Sequence, residues 1–230
     1  IPTLEYFKPD TIINCSAKVD FENIYNEEMH IINTLVPKIC ASYCKKNNID
    51  IVHASSVSVY QEDKKIVSVK SKYNDKKGYG NTKLKGDLAI IDNKINYSIL
   101  RFPGIWSSQG PKHLGINLAI NNAINNKIVP TLFGDGNGKR NYIFLKDAAK
   151  CIIDAALNKR YGIFICAPNE YISIKNMLEQ IANEFMNGDN LKIINPNEIT
   201  QDRIYFGNYK WIEFRKFKEA LKLEKSLIRK

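Results

Sequence analysis

The chain has 230 residues, 44% of them hydrophobic, which is enough for one large or two small domains around a real core. Its net charge of +10 rests on lysines in scattered pairs, Lys45-Lys46, Lys64-Lys65 and Lys76-Lys77, a pattern that favours a solvated surface over a nucleic-acid-binding stripe. No apolar run approaches the roughly 18 residues of a spanning helix and no signal peptide is evident, so no membrane partner is expected and the cytoplasm is the expected compartment.

Residues 1 to 9 read as the tail of a helix or a loop, and Thr11-Ile12-Ile13-Asn14-Cys15 as a short buried strand ending in the small residues Ser16-Ala17. The segment from Tyr25 to Lys46 carries Met29, Ile32, Leu35, Val36, Ile39 and Tyr43 at helical spacing, with Asn33 as a polar amide that needs a partner. A second buried strand, Ile49 to Ala54, runs into the hydroxyl-rich Ser55-Ser56-Val57-Ser58. A polar loop from Gln61 to Lys77 precedes a helix that starts at Tyr79 and continues through Leu84, Leu88 and Ile91. Tyr97 to Arg101 is a third strand, ending at Phe102-Pro103-Gly104. Strands alternating with helices build a parallel sheet covered on both faces.

Beyond Trp106 the spacing predicts a helix over 115–126, a short strand over Ile128 to Leu132 and a glycine-rich turn, Phe133-Gly134-Asp135-Gly136-Asn137-Gly138. Lys139-Arg140-Asn141-Tyr142 then leads into an apolar helix reaching Leu157. Tyr161 to Ala167 reads as a strand, Ser173 as the N-cap of a helix to about Met186, and Phe214 to Leu223 as an amphipathic helix. Cys15, Cys40, Cys44, Cys151 and Cys166 are an odd set scattered through apolar segments and read as reduced packing residues. His30, His53 and His113 are isolated, and no metal site is expected.

Tyr79 and Lys83 share a helix face, and a lysine ammonium beside a phenol favours its ionised form, bringing a group that titrates near 10 closer to use at neutral pH. Taken with two other stretches, this pair resembles the extended short-chain dehydrogenase/reductases, which include nucleotide-sugar epimerases, dehydratases and reductases. Ala54-Ser55-Ser56-Val57-Ser58-Val59-Tyr60 is similar to their serine-rich strand end, with Ser56 at the catalytic serine position. Tyr79-Gly80-Asn81-Thr82-Lys83 fits their Tyr-x-x-x-Lys, 23 residues on from Ser56. Phe133-Gly134-Asp135-Gly136 with Arg140-Asn141-Tyr142-Ile143 and Asp147 resembles their diphosphate-binding segment, and Pro9 to Ala17 their fourth strand.

The resemblance implies a Rossmann-like, doubly wound α/β fold with a smaller C-terminal α/β substrate-binding part. Residues 1–106 would form a partial dinucleotide-binding unit and residues 107–230 the substrate-binding part, with a segment near 140–160 returning to the Rossmann core. It implies NAD or NADP as cofactor, a nucleotide sugar as substrate and a homodimer. Tyr79 would exchange a proton with a sugar oxygen, Lys83 would lower the tyrosine's pKa and bond the nicotinamide ribose, Ser56 would bond the substrate oxygen, and Asn33 would support a proton relay. Cys15, Ser16, Ala17, Phe102 and Pro103 would line the cofactor. Lys18, Gly104, Phe133 and Arg140 would meet the substrate, Arg140 through the diphosphate.

Two departures from the family pattern stand out. Its opening strand and Gly-x-x-Gly-x-x-Gly turn are not in this sequence, which implies that roughly three strands of the complete fold are missing and that this chain by itself binds dinucleotide poorly. Gly104 stands where many sugar epimerases carry a substrate-binding asparagine, which leaves a reductase or another epimerase open, while Val57-Ser58 in place of an acidic pair ranks a dehydratase last. The alternatives are a non-enzymatic dinucleotide-sensing or scaffold protein of the same fold and an inactive fragment. Retention of Ser56, Tyr79 and Lys83 together favours the enzyme.

Overall fold

The computed structural model describes residues 2–20, 26–61, 65–76, 78–188 and 190–228. Four strands, β1 (Thr11–Asn14), β2 (Asp50–Ser56), β3 (Tyr97–Phe102) and β4 (Gly162–Ile165), form one sheet in that order, all parallel. The register sets Ile12 against Ile51 and His53 against Ile99. Side chains alternate across a strand, so neighbouring positions feed opposite faces. Ile51 and Ile99 join Ile12, Ala41, Tyr43, Cys44 and Ile90 in one apolar cluster, while Val52 and Leu100 join Ala148, Cys151, Ala155 and Cys166 in another. Two buried faces on one parallel sheet define a doubly wound α/β arrangement.

The first face is covered by α1 (Val36–Asn47) and α2 (Tyr79–Asp92). Helical structure begins upstream of α1 at Glu27, where the Asn26 side chain accepts the Met29 N–H, and Ile31–Leu35 widens into a π-turn. Tyr25, where the sequence pattern started the helix, lies outside the described residues. Gly78 enters α2 at φ 132°, a backbone region that costs glycine little and a side-chain-bearing residue much. The second face is covered by α4, whose place in the chain follows α3 (Gly115–Asn121): α4 spans Leu145–Leu157 and packs on β2 and β3.

A further core gathers Trp106, Ile116, Ile120, Leu132 and Phe144 with α5 (Ile174–Phe185) and α6 (Phe217–Ile228). Ser173 caps α5 by accepting the Asn176 N–H at 3.2 Å, as its sequence position predicts. The short strand expected over Ile128 to Leu132 is displaced to Thr131–Phe133, because its partner is the distant Lys192–Ile194. The loop from Gln61 likewise contains a short strand, Ile66–Val67, held by Ile204–Tyr205. No helix among the described residues is long and apolar enough to cross a membrane.

Candidate functional site

Ser56 is the last residue of β2, and its hydroxyl accepts the Ser58 N–H at 3.1 Å, capping the turn Val57–Val59, while also donating to the Ser58 hydroxyl at 3.1 Å. The Tyr79 phenol, on the first residue of α2, lies close enough to the same hydroxyl for Ser56 to favour its ionised form. Capping and site reading therefore coexist in one side chain. The close approach is permitted by Gly80: a Cβ there would lie 2.0 Å from the Ser58 carbonyl oxygen. Gly80→Ala is expected to lose about 1–3 kcal/mol of stability, since a backbone carbonyl cannot step aside as a flexible side chain can. Gly115→Ala, where a Cβ meets nothing within 4 Å, is the control. Denaturant titration of both variants checks the difference.

Lys83 lies one turn into α2 with its side chain 1% exposed, and its Nζ donates to the Ala54 carbonyl at 2.8 Å. Burial brings its ammonium down to about 8, against the pull of Asp87 and Cys15. Burial also pushes the Tyr79 phenol above its ordinary value; the nearby Ser56 hydroxyl opposes that rise and the Asp87 carboxylate adds to it. The phenol therefore rests in its neutral form, and the lowering expected from Lys83 is not among the effects that act on it here. His53, isolated in the sequence, is fully buried with Nε2 3.4 Å from Lys83 Nζ. Asp87 lies next to it, and its Oδ2 accepts the Arg101 Nε–H at 3.0 Å. The guanidinium also donates to Tyr60 at 2.6 Å and stacks on the rings of Tyr60 and Tyr73 at 4.9 and 5.1 Å.

Asn33 has its partners. Oδ1 accepts the Lys18 N–H at 2.9 Å, and Nδ2 donates to the Lys18 carbonyl at 2.8 Å and to Thr82 Oγ1 at 3.0 Å, which in turn donates to the Tyr79 carbonyl at 2.8 Å. The side chain ties the segment after β1 to the first turn of α2, so any relay at this position would fall to its backbone carbonyl. That carbonyl sits close against α2, where a Cβ at Gly86 would lie 2.2 Å from it. Lys18 Nζ pairs with Glu28 at 2.8 Å on the surface. Cys15 and Ala17 are exposed and Ser16 half-buried just past β1, Phe102 and Pro103 are buried at the end of β3, and Cys15 is near enough for the Lys83 charge to act on its thiol. The ends of three adjacent strands thus come together around Ser56, Tyr79 and Lys83.

A second group gathers around Tyr142. Its ring fills the space beside Gly104, where a Cβ would lie 2.7 Å from it, and Arg140 and Arg203 both bear on its hydroxyl. Arg140 Nη1 donates to the carbonyls of Lys139 at 2.9 Å and Gln201 at 2.5 Å. The two carboxylates that could have held Arg140 in an ion pair are engaged elsewhere: Asp147 with Arg215, and Asp135 with Thr200. Phe133 is 61% exposed at the end of its strand. His53, Asp87, Arg101 and Arg203 were given no role in the sequence, and Tyr142 stood only within the segment likened to a diphosphate site; of the first four, only Asp87 had a local signal, four residues after Lys83.

A parallel sheet with helices on both faces defines a doubly wound α/β class, in which ligands meet the carboxyl ends of the strands. The chain belongs to the NAD dependent epimerase/dehydratase family, whose model matches residues 2–167. It is 27% identical over 190 residues to a protein of Methanocaldococcus jannaschii named "Putative UDP-glucose 4-epimerase", covering 76% of this chain and 61% of that relative. The chain thus spans about three fifths of that relative's length. UDP-glucuronic acid 4-epimerase from Bacillus cereus, solved with NAD, has the same fold at TM-score 0.79 and 18% identity, covering 99% of this chain and 76% of that one. So does dTDP-4-dehydrorhamnose reductase from Bacillus anthracis, solved with NADP, at TM-score 0.80 and 16% identity, over 100% and 84%.

Proposed function

We propose that this chain carries the catalytic and substrate-binding residues of an NAD(P)-dependent nucleotide-sugar epimerase or reductase. The observation that supports this reading most is the meeting of Ser56, at the carboxyl end of β2, with Tyr79, at the start of α2, close enough for the hydroxyl to act on the phenol, with the Lys83 amine buried one helical turn away. The donor set there suits a nicotinamide ribose and a sugar oxygen: a phenol, a hydroxyl, and an amine that uses one of its N–H bonds on Ala54. The exposed ends of β1 at Cys15 and Ala17, with Phe102 and Pro103 opposite, would line the dinucleotide. When bound, NAD or NADP would supply the hydride acceptor or donor.

The chain's own part is protonic and positional. Tyr79 gives its phenolic proton to a sugar keto oxygen as that oxygen becomes a hydroxyl, and takes a proton from the hydroxyl in reverse. Ser56 donates to the same oxygen and stabilises the charge that develops on it. Its neutral resting phenol makes Tyr79 ready as the acid. Acting as the base requires the Lys83 ammonium, which is available below its pKa of about 8. Arg140, with Arg203 and Tyr142 beside it, would hold the diphosphate. A homodimer would form through the outer faces of α1 and α2, where Ile39 and Leu88 are exposed.

The test is a panel of UDP- and dTDP-sugars with NAD or NADP and the full-length protein, followed by NMR of the sugar and by nicotinamide absorbance. Inversion or reduction at a sugar carbon is expected. Dinucleotide binding with no sugar turned over by any member would instead favour the dinucleotide-sensing protein.

A further inference from the structure

Lys83 and Asp87 stand four residues apart on α2, the spacing at which a lysine and a carboxylate ordinarily pair on a helix face. They do not bond here. Asp87 Oδ1 has no hydrogen-bond partner, Oδ2 is taken by Arg101, and Lys83 Nζ donates to the Ala54 carbonyl. The group lodged at this place is the His53 imidazole, with Nε2 3.4 Å from Lys83 Nζ and 3.7 Å from Asp87 Oδ1. We propose that His53, neutral and protonated on Nε2, is a positioning residue for Lys83 that keeps the amine off its natural partner Asp87. The proposal rests on the reading of Lys83 as part of a hydride-transfer site.

The tautomer follows from Asn14. A backbone N–H can only donate, and that of Ser16 donates to Asn14 Oδ1 at 3.0 Å, as does the Ser16 hydroxyl at 2.7 Å. The amide oxygen therefore faces Ser16, and Nδ2 faces His53, 3.2 Å from its Nδ1. A donor at that distance needs a lone pair on Nδ1, which leaves the ring proton on Nε2. There it faces the amine and the one carboxylate oxygen still lacking a partner. A charged Lys83 leaves Asp87 Oδ1 as the acceptor in front of Nε2–H; a neutral Lys83 offers its own lone pair. The imidazole stays neutral in both states, in keeping with burial and the Lys83 charge, which hold it well below the ordinary histidine range against the smaller pull of the Asn14 backbone.

The other groups facing this place are Cys15 past β1, Ser55 on β2 and Arg101 on β3, with Tyr60 and Tyr73 around the guanidinium. Ser55 is close enough to Asp87 to favour its charge, yet its Oγ completes no hydrogen bond of ordinary geometry, so it does not replace His53 as the partner of Oδ1. With His53 gone, nothing else among the described residues separates the i, i+4 pair. Lys83 then pairs with Asp87, its ammonium is stabilised, and its charge is drawn away from Tyr79.

Two measurements made without substrate or cofactor test this. Nitrogen NMR of histidine-labelled protein is expected to show His53 protonated on Nε2 and bare on Nδ1 from acid to alkaline pH. The opposite tautomer, or an imidazolium at neutral pH, overturns the proposal. NMR titration of the lysine side chains, with Lys83 assigned by its absence in Lys83→Met, is expected to place Lys83 near 8 in the parent protein. In His53→Leu it should rise by about one pH unit or more, as an opposite charge at contact distance dictates. His53→Gln, whose amide N–H can stand in for Nε2–H, should return it toward the parent value. A Lys83 titration that stays put in His53→Leu, with only stability reduced, would mean that His53 merely packs. Should His53→Leu fail to fold, the tautomer measurement decides by itself. Neither readout uses turnover, so a failure of the sugar-nucleotide reading leaves both interpretable.

Discussion

Tyr79→Phe is expected to lower turnover of the full-length protein on its sugar nucleotide by about a hundred- to ten-thousandfold, the range carried by a positioned general acid–base group, while dinucleotide affinity and thermal stability stay near the parent values. The substitution removes one oxygen from a half-buried ring and no packing atoms. Ser56 keeps its bonds to Ser58, and Lys83 keeps the Ala54 carbonyl, so the remaining site survives. What is lost is the only group that the proposal assigns to moving the proton. The pH dependence has a definite sign. Burial raises the Tyr79 phenol above its ordinary value, so the keto-reducing direction, which consumes the phenolic proton, runs well at neutral pH and fades as pH rises. The hydroxyl-oxidising direction needs the phenolate and gains with pH, until Lys83 loses its charge near 8 and the phenol becomes harder to ionise. Stopped single-turnover rates in both directions, with the Phe variant beside the parent, check both points. A variant that still turns over at the parent rate removes Tyr79 from the mechanism.

The parts of this site that could be read in the sequence are those whose geometry is set locally. Tyr79 and Lys83 are fixed relative to each other by the helical repeat, and Ser56 by its place at the end of an apolar strand; each announces itself within a few residues. The Ser173 cap and the buried strands at Thr11, Asp50 and Tyr97 belong to the same class. His53 escaped because its meaning depends on residues 30 and 39 positions away, Lys83 and Asn14, and an isolated histidine in an apolar strand carries no signal of either. Arg101 was read as the last residue of a strand, and nothing nearby told that Asp87, Tyr60 and Tyr73 would close around it. The π-turn at Ile31–Leu35 interrupts a helical pattern without changing its apolar spacing. The pairing of Thr131–Phe133 with Lys192–Ile194 joins two short stretches some sixty residues apart, which is why the strand boundary moved.

Arg101→Met is expected to cost about 3–5 kcal/mol of stability, the usual consequence of removing one partner of a buried ion pair. The guanidinium is fully buried and, among the described residues, supplies the only hydrogen bond that the Asp87 carboxylate receives at ordinary geometry. Without it, a charge at the centre of the α2–β2–β3 contact is left in an apolar setting. Burial already raises the Asp87 carboxyl, with Arg101 the first of the groups opposing that rise, so the variant should take up a proton on Asp87 and lose less stability in acid than at neutral pH. The sign follows from linkage: a carboxyl whose folded-state pKa is raised binds its proton more tightly when folded, and stability falls as pH climbs through that pKa. Removing Asp87 as well separates the charge from the packing. Arg101→Met with Asp87→Leu should recover most of the loss, because two apolar side chains of similar bulk avoid both desolvation costs. The double variant should nevertheless remain a poor enzyme: Lys83 would have lost the carboxylate that helps to keep it charged, and α2, which carries Tyr79, would have lost its tie through Asp87 to the Arg101 guanidinium between Tyr60 and Tyr73. Denaturant titration of the two singles and the double at neutral and acid pH measures the cycle. Additive losses with no recovery would show that the cluster is held by packing of the arginine stem and rings, with the ion pair incidental.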